Sequence, residues 1–436
     1  MKKYVLVGTG YRGTFSYLLP LTRDFSDKLE LSAVFDSNKK RAMGAIELTK
    51  AENVKIYDDF DKMIREEKPD TVIVSSKDST HDKYIIRAME LGCDVISEKP
   101  LTTTPEKFTA IYDTMEKTGK NVTVTFNCRF MPFYVKVKEL LKSGVIGEVF
   151  SVHLEWLLDT SHGADYFRRW HRNRENSGSL LVHKSTHHFD LVNWFLEQDP
   201  VKVNAFGTRR FYGPTRDKRS ERCLDCPHKT SCEFYLDLKD NDSFVKLYTD
   251  AENVDGYFRD KCVFSEEIDI EDTLSLNVKY DKGALLSYSL TAHSPYEGAK
   301  FVLNGSKGRI EANEFTLPTG ELVRDIKVYD RYNDVITYNF NNEHMITKND
   351  RDLGMIVHLS SKETHSGADV IMLRRLFAQE VECDPLGQKA GIKDAKMSLA
   401  IGFAANLSLA ENKAVDVSCL FGEKRNERVL LEFSKA

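Results

Sequence analysis

The chain has 436 residues, 41% hydrophobic and 30% charged, with a formal net charge of -5. That composition describes a globular protein too long for one ordinary core, so two domains are expected; it offers no general attraction to nucleic acid, and no stretch is long and apolar enough to span a bilayer. Lys2-Lys3 run straight into an apolar segment without a signal peptide, so a cytoplasmic protein whose eight cysteines are reduced is expected.

The first segment, Tyr4-Val5-Leu6-Val7, reads as a buried strand, and Gly8-Thr9-Gly10-Tyr11-Arg12-Gly13 follows it at once. A glycine-rich turn between a strand and a helix is the setting in which a dinucleotide binds. Gly8 permits the tight turn, Gly10 lets the backbone approach a pyrophosphate, and Gly13 lets the helix pack on the strand. Tyr11 and Arg12 open that helix and face the same ligand. The next strand, Leu31-Ser32-Ala33-Val34-Phe35, ends at Asp36, whose carboxylate suits the adenosine ribose and repels a 2'-phosphate. NAD is therefore expected over NADP, although Ser37, Lys39, Lys40 and Arg41 could hold a phosphate.

Strands and helices continue to alternate, as a doubly wound parallel sheet demands. Thr71-Val72-Ile73-Val74 is a strand, Ser75 to His81 a polar turn, Asp82 to Leu91 an amphipathic helix, and Asp94-Val95-Ile96 a strand ending at Glu98-Lys99-Pro100. Ligands gather at such carboxyl ends, so Ser76, His81, Glu98, Lys99 and Asn127 join the cofactor candidates. A proline after Lys99 disfavours helix at the lysine and leaves it on a strand-end turn. There an ammonium can hydrogen-bond a reacting hydroxyl and stabilise alkoxide charge.

After residue 126 the pattern changes to longer alternating strands: Val149 to Trp156, Thr273 to Tyr280 and Ala284 to Thr291. The expected division is a Rossmann domain over 1–126 and an α/β domain over 127–436, with a charged, cysteine-rich insertion at about 209–262.

Within the second domain, Ser179 to Trp194 has helical spacing. His183, His187 and Asp190 share one side with Lys184 and His188 beside them, while Phe189, Val192 and Leu196 face a core. Removing a proton from a carbinol suits a histidine titrating near neutrality; the same cluster could also be a solvated face or part of a metal site. Upstream, Arg168 and Trp170 supply the cation and aromatic wall of a sugar site, and Tyr296 follows a strand that could line the same cleft.

In the insertion, Cys223 and Cys226 are separated by two residues and followed by Cys232 and Cys262. Four thiolates could close a tetrahedral structural zinc site, with His228 as a substitute ligand.

The order of these landmarks resembles the Gfo/Idh/MocA oxidoreductases: the glycine turn, Glu98-Lys99-Pro100-Leu101, Asn127-Cys128-Arg129-Phe130 with Pro132, and Gly144-Val145-Ile146-Gly147-Glu148-Val149. The resemblance implies a Rossmann domain, a C-terminal domain with a large, open, mostly antiparallel sheet, and a homo-oligomer. It also implies hydride transfer at a ring hydroxyl of a sugar, glycoside or cyclic polyol, with Arg129 and His188 near the substrate. Some members use the same step transiently to cleave glycosides. A third reading is a binding protein without turnover. Anchored on Asp190, the resemblance places His187 at the family's proton-transfer histidine, and His183 where many members carry an aspartate. Lys184 matches a subgroup with Lys-x-x-His-His. Lys99 would then polarise the hydroxyl while His183 and Lys184 bind substrate or tune the base.

Overall fold

A computed structural model describes residues 1–332, 334–340, 367–377 and 383–421. The last stretch assigned to the second domain, 422–436, lies outside the described residues.

The first sheet contains β1 (Lys2–Val7), β2 (Leu29–Phe35), β3 (Lys55–Tyr57), β4 (Thr71–Val74), β5 (Asp94–Ser97) and β6 (Val122–Val124). They run parallel, with β1 between β2 and β4. Val5 and Val7 pack into one core while Tyr4 and Leu6 pack into another, so helices cover both faces and the apolar runs have no polar alternation. Connections leave β1 in one direction and β4 in the other. That divergence opens a crevice at their carboxyl ends, where Gly8, Asp36 and Ser75 emerge.

The second sheet is built from β7 (Val149–Asp159), β8 (Pro200–Thr208), β9 (Thr273–Tyr280), β10 (Leu285–Ser294), β11 (Glu297–Gly305), β12 (Gly308–Thr316), β13 (Leu322–Asp330) and β14 (Val335–Asn339). Among the described residues only β7 and β10 pair in parallel, so the sheet is mixed and mostly antiparallel, as the family resemblance implied. Two short late strands complete the sheets. β15 (Ala390–Gly391) pairs antiparallel with β6 at the edge of the first sheet, and β16 (Val415–Asp416) pairs with β8 in the second. The chain therefore returns to the nucleotide domain after building the second one. Among the described residues no helix is long and apolar enough to cross a membrane.

The helix Ser185–Leu196 is buried around almost its whole circumference. It lies between the helices Pro132–Lys142 and Ile392–Glu411. The polar side read from its spacing is thus no solvated face. Asp190 sits there in a buried ion pair: Arg129 donates to both its oxygens, at 2.8 and 2.6 Å, and to Asp394 at 2.9 Å. Burial pushes the Asp190 carboxyl up to about 6 even with Arg129 beside it. Removing one member of such a pair strands the other in a low-dielectric interior. Arg129→Leu is expected to destabilise the fold by about 3–5 kcal/mol, read from the shift of a urea unfolding midpoint.

Candidate active site

The crevice at the ends of β1, β2, β4 and β5 continues into a cleft of about 1020 Å³ between the two domains. The glycine turn forms its floor. Gly8 has φ +91°, and a Cβ there would stand 2.7 Å from the backbone of Ser75. At Gly13 a Cβ would fall 2.0 Å from the Gly8 carbonyl oxygen, so this glycine lies under the turn and allows the close packing expected of it. Gly10 borders the cleft with only the Tyr248 hydroxyl nearby, at 3.6 Å from its would-be Cβ. A turn closed below and open above fits a dinucleotide's diphosphate.

Asp36 lies at the rim. It accepts from the Thr9 and Asn38 amides, each at 2.8 Å, which fixes the carboxylate where a ribose would meet it. Tyr11, Ser76, His81, Glu98 and Asn127 also line the cleft. His81 is more a brace than a ligand, because its two ring nitrogens contact the Pro100 and Ser76 carbonyls, each at 2.9 Å. Arg12 is committed elsewhere: Glu98 holds it at 2.7 Å and Asp369 at 2.7 and 2.9 Å, and Asn127 donates to the same Asp369. Asp369, far away in sequence, carried no signal of this network.

Lys99 reaches into the cleft at a cis Lys99–Pro100 bond, and its ammonium donates to the His183 carbonyl at 2.9 Å. Burial pushes it down to about 8 despite the nearby Asp78. The stretch read as one helix is two, Leu180–His183 and Ser185–Leu196, with Lys184 at the joint. Ser179, which caps the first, has φ 79° and ψ 174°, a backbone region that costs a non-glycine residue on the order of 1–3 kcal/mol. Its hydroxyl donates to Asn406 at 2.8 Å and so helps fix the bend.

His183, Lys184, His187 and His188 all face the cleft but in different environments. The His183 Nδ1 lies 2.5 Å from Asp78 of the Ser75–His81 turn. Burial lifts the Asp78 carboxyl well above its ordinary range against the pull of Lys99, and burial plus Lys99 lowers His183 well below its own. The two groups are thereby brought closer in proton affinity across a short contact. The carboxylate absent from the helix is thus supplied from the other domain. No motif marked it, because Asp78 was one polar residue in a polar turn.

The Lys184 ammonium lies 5.7 Å from the Trp156 ring centre and 6.0 Å from that of Tyr166. Burial alone would lower it, but Tyr166 and Glu297 hold it above its ordinary value, so it is a permanent cation. His188 stacks on Trp156 at 3.7 Å, with Nδ1 2.8 Å from the Tyr288 hydroxyl. Burial, with Lys184 nearby, keeps it neutral. The ring of His187, edge-on to Phe126 at 6.1 Å, sits buried against the cleft wall.

Three substrate expectations need correction. Arg129 is outside the cleft, locked to Asp190 and Asp394. Tyr296 packs edge-on against Phe315 at 5.7 Å, and its neighbour Glu297 lines the cleft instead, paired with His162 at 2.9 Å. Arg168 borders the cleft, yet its guanidinium is spent on the Cys223 sulfur at 3.2 Å and the Phe234 carbonyl. Trp170 does lie in the wall, stacked on His171 at 3.7 Å.

The expected zinc centre also finds no support. Cys223, Cys226, Cys232 and Cys262 border one small pocket with His228. All four are free thiols, and among the described residues no group of three or more His, Cys, Asp or Glu is placed to hold a metal. The insertion packs Phe234, Val263 and Phe264 into the domain's core, and Arg222 joins Asp260 at 2.8 Å to Glu252 at 2.9 Å.

A glycine turn at the switch point of a parallel sheet, facing a second domain that brings a lysine and histidines to the same cleft, defines an NAD-binding oxidoreductase. The chain belongs to the Gfo/Idh/MocA family: residues 2–126 match the oxidoreductase family's NAD-binding Rossmann fold and residues 138–350 its C-terminal alpha/beta domain. It is 37% identical to YteT of Bacillus subtilis (strain 168), over 97% of this chain and 99% of that one. Inositol 2-dehydrogenase 2 of Saccharopolyspora erythraea is 29% identical over 47% of this chain, and the match spans 57% of that enzyme's length. Among solved structures, levoglucosan dehydrogenase in complex with NADH and levoglucosan shares the fold, with a TM-score of 0.66 at 18% identity over 95% of this chain and 99% of that one.

Proposed function

We propose that the protein is an NAD-dependent dehydrogenase acting on a ring hydroxyl of a sugar, glycoside or cyclic polyol. The observation that carries this reading is the meeting of Lys99, His183, Lys184 and His187 in the cleft that also holds the glycine turn and Asp36. NAD, when bound, supplies the hydride acceptor. Lys99 holds the substrate oxygen and stabilises the negative charge that develops on it. His187 takes the hydroxyl proton. The Asp78–His183 pair positions Lys99 through the His183 carbonyl. Lys184, Trp156 and Tyr166 bind the sugar, the rings against its apolar faces and the cation against its oxygens. The related inositol and levoglucosan dehydrogenases support the substrate class.

The test is to load purified protein with NAD and follow nicotinamide absorbance against free sugars, glycosides and inositols. Net NADH formation with one of these supports a dehydrogenase. Glycoside cleavage without net NADH replaces it with transient oxidation and elimination. Binding of NAD and sugar without turnover of any of them would leave a sensor.

A further inference from the structure

Part of the insertion packs against the nucleotide domain. The segment 241–258 runs over the helix Lys39–Thr49 and borders the cleft through Tyr248, Asp255, Gly256 and Tyr257. The contact is close enough that a Cβ at Gly44 would stand 2.8 Å from the Lys246 carbonyl oxygen. Leu247 and Tyr248 are buried in the core beneath the first sheet. Asn38 donates to the Ala251 carbonyl at 2.9 Å. This is a packed interface.

Two of its side chains touch the groups that would read a dinucleotide. The Tyr248 hydroxyl accepts the Tyr11 amide proton at 2.9 Å, at the mouth of the glycine turn. Among the described hydrogen bonds that hydroxyl donates to nothing, which leaves its own proton for an anion beside the turn. Asp255 takes hold of Arg41 at 2.6 Å, and the other side of the same guanidinium lies 3.4 Å from Asp36. Arg41 also donates to the Leu247 carbonyl at 3.0 Å. The remaining cations past β2 are occupied as well: Lys40 bonds to Asn253 at 3.2 Å and Lys39 pairs with Asp58 at 3.6 Å. Each of these three cations past β2 has a partner, and three of the partners, Leu247, Asn253 and Asp255, belong to the insertion.

We propose that the arm 241–258 forms part of the dinucleotide site, with Tyr248 contacting the diphosphate and Asp255 enforcing NAD over NADP by holding Arg41. Asp36 alone gives a ribose acceptor with a free arginine next to it, a mixed signal. Asp255 removes the ambiguity by adding a second carboxylate and engaging the guanidinium from the side away from Asp36. Selectivity then depends on a residue more than two hundred positions from the glycine turn.

This rests on the NAD reading and is tested by binding alone, with NAD and NADP titrated calorimetrically into the wild type, Asp255→Asn, Asp255→Glu and Tyr248→Phe. Losing a charge-assisted hydrogen bond to Arg41 should raise NADP affinity in Asp255→Asn on the order of tenfold, with NAD affinity little changed. Asp255→Glu should keep the wild-type ratio, and adding Arg41→Ala to Asp255→Asn should erase the gain. Tyr248→Phe should weaken both dinucleotides several-fold. An unchanged NAD to NADP ratio in Asp255→Asn overturns the selectivity role. Unchanged or tighter binding in Tyr248→Phe overturns the diphosphate contact. Wild-type protein that binds neither dinucleotide overturns the NAD reading itself.

Discussion

Lys99→Ala is expected to lower turnover by a factor on the order of a hundred to a thousand, with the dissociation constant for NAD nearly unchanged. The lysine is held by the His183 carbonyl at the end of β5, so removing it deletes a donor aimed at the cleft without disturbing the glycine turn. The pH profile gives an independent readout. Burial places the Lys99 ammonium at about 8, so its positive charge is present below that pH and lost above it. If the charge stabilises the alkoxide, kcat/KM falls as pH rises through about 8, and this alkaline limb disappears from the residual activity of Lys99→Ala. A limb that persists unchanged in the variant would assign it to another group and remove Lys99 from the charge-stabilising role.

His187→Ala is expected to reduce kcat about a hundredfold or more, again sparing NAD binding, as loss of a proton acceptor should. Asp78→Asn is the informative companion. It keeps the size of the side chain but removes the carboxylate from the 2.5 Å contact with His183. A pair that only positions Lys99 should cost less when weakened, about tenfold in kcat, with the alkaline limb retained but moved to lower pH, because Asp78 holds the Lys99 ammonium up against burial. If Asp78→Asn is as damaging as His187→Ala, the proton leaves through His183 and Asp78, and His187 is part of the wall.

The parts of this site legible in the sequence are those whose chemistry is local. Gly8, Gly10, Gly13 and Asp36 fall within one strand-turn-helix-strand unit, and Glu98-Lys99-Pro100 follows β5, a later strand of the same sheet. Chain order alone places them at the same sheet edge. The cluster from His183 to His188 was visible as a concentration of titratable groups, but not the bend at Lys184, because helical spacing cannot register a joint fixed by Ser179 and Asn406. What remained hidden is non-local. Asp78 pairs with His183 across 105 positions, Arg129 with Asp190 across 61, and Tyr11 with Tyr248 across 237. Arg129 illustrates the failure well: a cation beside a family landmark invites a substrate role, and only the fold shows that its charge is neutralised in the interior. The cysteines erred for a related reason, since spacing suggests which thiols can meet but not how the loop places them.

The pairing of β15 with β6 bears on how the protein comes into being at the ribosome. Residues 2–124 contain every parallel strand of the first sheet, so most of that sheet can form as soon as it emerges. Its β6 edge stays open until Ala390 and Gly391 are made, which at typical synthesis rates is roughly tens of seconds later. An open strand edge is a template for pairing with other chains. Nascent chains halted between the two strands are thus the form most prone to aggregate, and a truncated nucleotide domain would carry the same exposed edge permanently.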